Sequence, residues 1–492
     1  MKKIILFVCS IFIMQSVYAQ KETYNWVFGQ ATGLTWNSLR DVNATGLGGG
    51  VTVGSSTTLK SLPVELISSI STQEGCFTLS NSTGTMQFYS DGMNIWKNDN
   101  SLMTNGTGLN GDKSSAQSGI IFPYPTSTTK YVAVSVGLNL ADNVSYNIID
   151  NNVVTSKNIR LNGASGSTGE TVTSIRHADN SSYWIIALGR GTNSYLNAWK
   201  FTSTGLVATP VVSLIGNYTL GNGACGYLKI TPDGKHFVMT TFLDKKIVYG
   251  DFNNSTGTFS NIKVVTALQN SPYGVEFSRD QSLVYISSST GIMVYKADEL
   301  FSKPNINDVT QKTYSLVNDG IGSPGALQIG PDERIYWANY NTRGLRIIDN
   351  PNDFDNPMIY SVSNLFIANN FSFQGLPSFA ANWFQGNSEV KRTVCSGYDS
   401  KFTVTVSDLE GKLATSLKWD FGDGTIIDQP ITTGKTSYDM NHTYTVQGTY
   451  RVTITPVKSN GSALTSRKVS ASTLDCEIKT NRMIRVDLQN GQ

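Results

Sequence analysis

Gly226-Tyr-Leu-Lys-Ile-Thr-Pro-Asp-Gly-Lys-His-Phe-Val-Met-Thr240 holds an apolar stretch, a tight polar turn and a second apolar stretch. Pro232 fixes φ and Asp233-Gly234 tolerates the bend, so the two stretches are read as adjacent antiparallel strands. The opening stretch recurs, beginning at Glu74, Ser118, Thr171, Gly226, Gly274, Ala326 and Gly375, in steps of 44, 53, 55, 48, 52 and 49 residues. Self-similarity at that period predicts a ring of repeated sheets, because one four-stranded blade cannot bury both faces without a neighbour on each side. The expected fold is all-β and opens with a seven-bladed β-propeller.

Second strands are predicted at Tyr131-Val-Ala-Val-Ser135, Tyr183-Trp-Ile-Ile-Ala187, His236-Phe-Val-Met-Thr240, Leu283-Val-Tyr-Ile-Ser287 and Arg334-Ile-Tyr-Trp-Ala338. β-Branched and aromatic residues dominate them, as sheets covered on both faces require. The seventh unit is incomplete: it begins at Gly375-Leu376, but the periodic pattern stops near Phe384. Asn25-Trp-Val-Phe-Gly29 and Gly33-Leu-Thr-Trp-Asn37 have the composition to pair beside it, which would close the ring over residues 22–386 and remove the open sheet edge.

Residues 1–19 read as a signal peptide: Lys2 and Lys3, an apolar run, then Val17-Tyr-Ala19 before Gln20. No later segment reaches the apolar length of a membrane span. With 38 basic and 36 acidic residues and no clustered basic surface, nucleic acid is not an expected partner. Four cysteines follow the leader. Cys395 and Cys476 bracket the last domain and are read as a disulfide in an oxidising compartment, whereas Cys76 and Cys225 fall on opposite sides of the ring and are read as free thiols.

Beyond residue 386 a shorter alternation begins, with Phe402, Val404 and Val406 on one face of a strand. Lys418-Trp-Asp-Phe-Gly-Asp-Gly-Thr425 follows, then Asn441-His-Thr-Tyr444 and Gly448-Thr-Tyr-Arg-Val-Thr-Ile454. This order and spacing resembles the PKD domain, an immunoglobulin-like β-sandwich, over residues 387–480, leaving 481–492 as a tail or linker. Trp419 is the expected buried anchor beside Phe421. Asp420 and Asp423 are expected to accept backbone N–H bonds, Gly422 and Gly424 to take conformations other residues avoid, and His442 and Tyr444 to serve the sandwich structurally.

Together with Phe88-Tyr-Ser-Asp-Gly92, Gln117-Ser-Gly-Ile-Ile121 and Gly375-Leu-Pro-Ser-Phe379, the chain is similar to exported surface proteins of gliding bacteria that use type IX secretion, in which a propeller precedes PKD domains. The resemblance implies spacing and adhesion at the cell surface, with polysaccharide or another surface protein as partner. The C-terminal sorting domain that such proteins usually carry is not among residues 1–492, which leaves a longer protein or another export route as the two readings.

Residues at the starts of the innermost strands should converge on one mouth of the axial channel: Glu74, Gln117, Glu170, Asn222, Ser271, Ser323 and Gln374. Such a polar ring suits sugar hydroxyls, a peptide or a cation. The same residue types also cap strand ends and hold water. Enzyme readings have little to stand on, since His177, His236 and His442 show no metal-ligand spacing and no nucleophile elbow or phosphate loop is present. No metal or cofactor is therefore expected. The remaining catalytic reading is a lactonase-like propeller in which Glu74, Glu170 and Asn222 hold a divalent cation such as Ca2+. Trp337 and Tyr340, with Arg343 nearby, are weighed as a sugar-stacking platform, with packing the favoured role for Trp337.

Overall fold

The structure, a computed structural model, describes residues 21–138, 144–216, 219–221, 225–267, 271–316, 324–366, 370–384 and 389–476. The expected signal peptide and the 481–492 tail lie outside the described residues.

Strands dominate and fall where the repeat puts them. Six antiparallel sheets follow one another in a propeller-like array, opening with Cys76–Ser80, Gly119–Pro123, Ser167–Arg176, Leu228–Ile230, Pro272–Phe277 and Leu327–Ile329, the first two joined into nine strands by a parallel pairing of Thr104 with Val153. Each adds strands in sequence order, as Leu228–Ile230 does with His236–Thr241, Lys246–Asn253 and Thr258–Thr266. Second strands such as Tyr183–Arg190 and Leu283–Ser288 are buried along their whole length, which is why they read as continuous apolar runs rather than alternating ones. The opening strands of consecutive sheets pack side by side around a common axis.

Closure of the ring differs from the expectation. Asn25–Phe28 pairs antiparallel with Thr32–Gly48, and the far end of that long strand extends the sixth sheet by pairing with Ile359–Val362. Pro377–Ser378 does not join this hairpin; it runs parallel to Cys76–Ser80, pairing Pro377 with Cys76 and Ser378 with Phe77. Packing explains the change. Trp26 contacts Trp36, Tyr336 and Phe379 at ring-centroid distances of 4.7, 5.4 and 6.1 Å, so the hairpin meets Phe379 through an aromatic face, and its backbone bonds to the C-terminal segment at the turn, where Gln30 bridges Phe371.

The last domain is a sandwich of a five-stranded and a two-stranded sheet, with Trp419, Phe421, Tyr444 and Phe402 buried between them. A disulfide joins Cys395 to Cys476, while Cys76 and Cys225 are in no disulfide among the described residues. The Asp420 carboxylate accepts the Gly422 N–H at 2.9 Å, and Asp423 accepts that of Thr425 at 3.0 Å. Gly422 and Gly424 have φ of 78° and 95°, values at which a side chain is strained. His442 stacks on Phe421 and meets Asp423 at 2.7 Å, and the Tyr444 hydroxyl donates to the Phe421 carbonyl at 2.9 Å. Burial works against the charge of Asp423, but the Thr425 N–H and His442 outweigh it and hold its carboxyl below the ordinary range.

This sandwich is docked on the sixth sheet. Leu409, Leu413, Ala414 and Leu464 belong to the same apolar cluster as the propeller-like domain. Between the two bodies lies a buried charge network. Arg334 meets Asp349 at 2.5 Å and Asp332 at 3.0 Å, and Lys458 of the sandwich meets Asp349 at 3.2 Å. Asn460 adds a bond to Asp349 at 2.9 Å, and Glu333 accepts both the N–H and the hydroxyl of Thr465.

Removing one member of a buried charge network leaves the others unpaired in a low-dielectric site, which costs about 3–5 kcal/mol. Arg334→Met is therefore expected to lower the unfolding free energy by about that amount, read by chemical denaturation.

Candidate functional site

The axis of the ring is where repeated opening strands bring side chains together. At the mouth where those strands start, Glu74 is partly buried. Its carboxylate accepts from the Tyr273 hydroxyl at 2.9 Å and from the Ser114 hydroxyl at 3.4 Å. Burial pushes its carboxyl up to about 7, and the negative charge of Glu170 adds to the shift despite the Tyr273 hydrogen bond. Glu170 is itself buried. Cys225 stands near both; burial, then Glu170 and Glu74, push its thiol up to about 12. Tyr273 packs edge-on against Tyr227 at 5.5 Å, which fixes the phenol that meets Glu74.

The other residues of the expected ring do not converge in the same way. Gln117 is buried and its amide grips the Leu228 backbone two sheets on, accepting its N–H at 2.8 Å and donating to its carbonyl at 3.4 Å. Gln374 contributes backbone: its carbonyl accepts from Ala326 and its N–H donates to Gln73. Ser271 is partly buried, with its N–H directed at the Ser289 hydroxyl at 3.4 Å. Asn222 and Ser323 lie outside the described residues. Trp337 is fully buried against Arg346, and Tyr340 is exposed beside Phe373, so they form no joint stacking platform.

Deeper in the channel, Lys229 meets Glu276 at 2.8 Å and Gln328 at 2.6 Å, and the Ile329 N–H donates to Glu276 at 2.8 Å. This triad was missed, although the repeat carries its mark: a polar residue stands directly before Ile230, Phe277 and Ile329 at equivalent places. At the far end the segment carrying Phe379, Ala381 and Phe384 packs into the axis, leaving a cavity of about 20 Å³. Tyr273 was missed too, yet it stands two residues after Ser271 and so shares its strand face. Among the described residues, no three His, Cys, Asp or Glu side chains are grouped so as to hold a metal ion.

Comparison with known proteins adds one family. Residues 387–473 match the PKD domain. No curated protein matches the chain. Among solved structures, the extracellular domain of a protein named as a hybrid two-component system from B. thetaiotaomicron is 10% identical with a TM-score of 0.36, over 92% of this chain and 57% of that one. This chain therefore spans little more than half of that structure. A protein named as a 6-phosphogluconolactonase from Bacteroides fragilis is 13% identical with a TM-score of 0.41, over 69% and 98%. Kluyveromyces lactis Hsv2 is 7% identical with a TM-score of 0.37, over 68% and 95%. At such TM-scores none of these carries an argument about this chain. The class its own geometry defines is an all-β protein in which a propeller-like ring of sheets carries a docked PKD domain. Among the described residues no helix is long and apolar enough to cross a membrane.

Because the folded state favours protonated Glu74, it binds more protons than the unfolded chain between about 4.5 and about 7. Stability is therefore expected to fall as pH rises through that window, and Glu74→Gln to flatten the slope, read from denaturation midpoints at a series of pH values.

Proposed function

We propose that this is an exported, non-enzymatic cell-surface protein whose ring of sheets recognises extracellular polysaccharide or another surface protein, with the PKD domain as its carrier. The observation that carries the export reading is the Cys395–Cys476 disulfide, which closes 81 residues of sequence around the sandwich and belongs to an oxidising compartment. The candidate leader at 1–19 and the low charge content support it. On this reading the ring has seven positions, the seventh filled by the Asn25–Phe28 hairpin together with the segment at 371–378. Recognition is assigned to the mouth around Glu74, Glu170 and Ser271. The resemblance to surface proteins of gliding bacteria supports type IX export as the route.

Mature protein from Gln20 onward, applied to a glycan array and to surface-protein extracts, is expected to bind without turnover. Glu74→Gln with Ser271→Ala is expected to weaken that binding at least tenfold. Binding carried entirely by residues 387–473 would sink the proposal.

A second reading rests on the Glu74 carboxyl, which burial brings near neutrality, where a general acid or base works best. It predicts lactone hydrolysis that Glu74→Gln reduces at least a hundredfold, about the lower bound for losing a general acid or base. A hydrolysis rate equal to buffer, with and without added Ca2+, removes it.

A further inference from the structure

A cleft of about 710 Å³ runs across the face of the ring opposite the Glu74 mouth, under the fifth sheet. That volume lies in the range of ligand sites, about 300–1,000 Å³. Its wall is Ala297–Ser302, among the described residues the only α-helix outside the PKD domain. This helix lies in the connection between the third and fourth strands of its sheet, which the fourth sheet makes with a short turn after Asn253. The helix brings Phe301 under His236, with the rings parallel within 8° at 4.1 Å. Phe354, from the neighbouring sixth sheet, lines the other end with the Lys296 ammonium 5.3 Å from its ring.

The polar ends in this cleft are of both kinds. Gln281 accepts the Asp233 N–H through its oxygen at 3.1 Å, which leaves its amide NH2 as a donor. His236 binds Asp251 through Nδ1 at 2.9 Å, leaving Nε2 for the cleft. Lys296 and Asp298 have no side-chain hydrogen bond among the described residues. We propose that this cleft binds a neutral oligosaccharide. A hydroxyl donates and accepts at once, so a sugar can satisfy Asp298 and the donors Lys296 and Gln281 together while its carbon face lies on aromatic rings. A polyanion meets the Asp298 and Asp233 carboxylates, and an apolar ligand leaves the polar ends unpaired. A peptide recognised by strand addition needs a free backbone edge, whereas this cleft is lined by side-chain ends.

The proposal stands apart from the reading of the Glu74 mouth, and one titration separates them. Mature full-length protein is titrated by calorimetry with hexasaccharides of β-1,4-glucose, β-1,3-glucose and mannose, and with a hexauronate. At least one neutral hexasaccharide is expected to bind, with affinity reduced at least tenfold by Asp298→Ala and by Gln281→Ala. Asp298 is exposed, and Asp298→Ala is expected to leave the thermal midpoint in place; Gln281→Ala also gives up the Asp233 N–H bond, so its midpoint is measured beside its affinity. No binding of any neutral hexasaccharide, preference for the hexauronate, or affinity insensitive to both cleft substitutions overturns the proposal. Loss of binding with Glu74→Gln alone assigns the sugar to the axial mouth and overturns it equally.

Discussion

A short run of backbone, Gln374 to Ser378, links the sixth sheet to the first. On one side the Gln374 carbonyl accepts from the Ala326 N–H at 2.8 Å, and on the other its N–H donates to Gln73 at 2.9 Å. The chain then runs parallel to Cys76–Ser80. Gly375 lies so close to the Glu74 carbonyl that a side-chain carbon there would overlap it. Glycine is needed at that point for proximity, since its backbone conformation is open to other residues. The position of Glu74 at the mouth, and the contact of Trp26 with Phe379, both follow from this seam. Without it Cys76–Ser80 would be an open edge of the first sheet, a feature proteins manage explicitly.

The repeat was legible because it is local. An apolar stretch, a turn built on Pro and Asp or Gly, and a second apolar stretch specify a hairpin within a dozen or so residues, and the strands observed from Cys76 to Ile348 lie where those hairpins fall. The motif around Trp419 was legible for the same reason, since Asp420 and Asp423 bond to N–H groups two residues on. The seam was not. Whether Pro377 pairs with the N-terminal hairpin or with Cys76 depends on the Trp26 packing, which involves residues hundreds of positions apart. Strand composition suits both pairings equally.

The axial residues divide along the same line. Glu74 and Glu170 could be found as polar residues at the expected strand starts, although Glu170 lies inside the strand Ser167–Arg176, and the charge of Glu170 does act on Glu74. Gln117 occupies the equivalent place but turns inward, because the Leu228 backbone needs a partner that no neighbouring strand supplies. Equivalence in a repeat fixes where a Cα lies and which face it presents. What the side chain then does depends on which backbone groups nearby are still unsatisfied, and a buried one takes precedence over a ligand.

Docking of the PKD domain changes what a carrier means here. Resemblance to the family implies a spacer, and a spacer on a free linker would let the ring tumble. Arg334, Asp349 and Lys458 are buried together; burial alone would push the Asp349 carboxyl up, and the charges of Arg334 and Lys458 outweigh it and hold the carboxyl well below its ordinary range. Such a network is costly to assemble and directional once assembled, so it favours one mutual orientation over sliding alternatives. Apolar contacts from Leu409, Leu413 and Leu464 supply the burial that makes the network worth its desolvation. The cleft beside Phe354 lies on this same face, and Asn352, which lines it, also bonds Thr465 of the sandwich at 3.4 Å. The wall of the cleft and the seat of the sandwich therefore share Asn352, so the contact that fixes the orientation of the sandwich also fixes one side of the cleft.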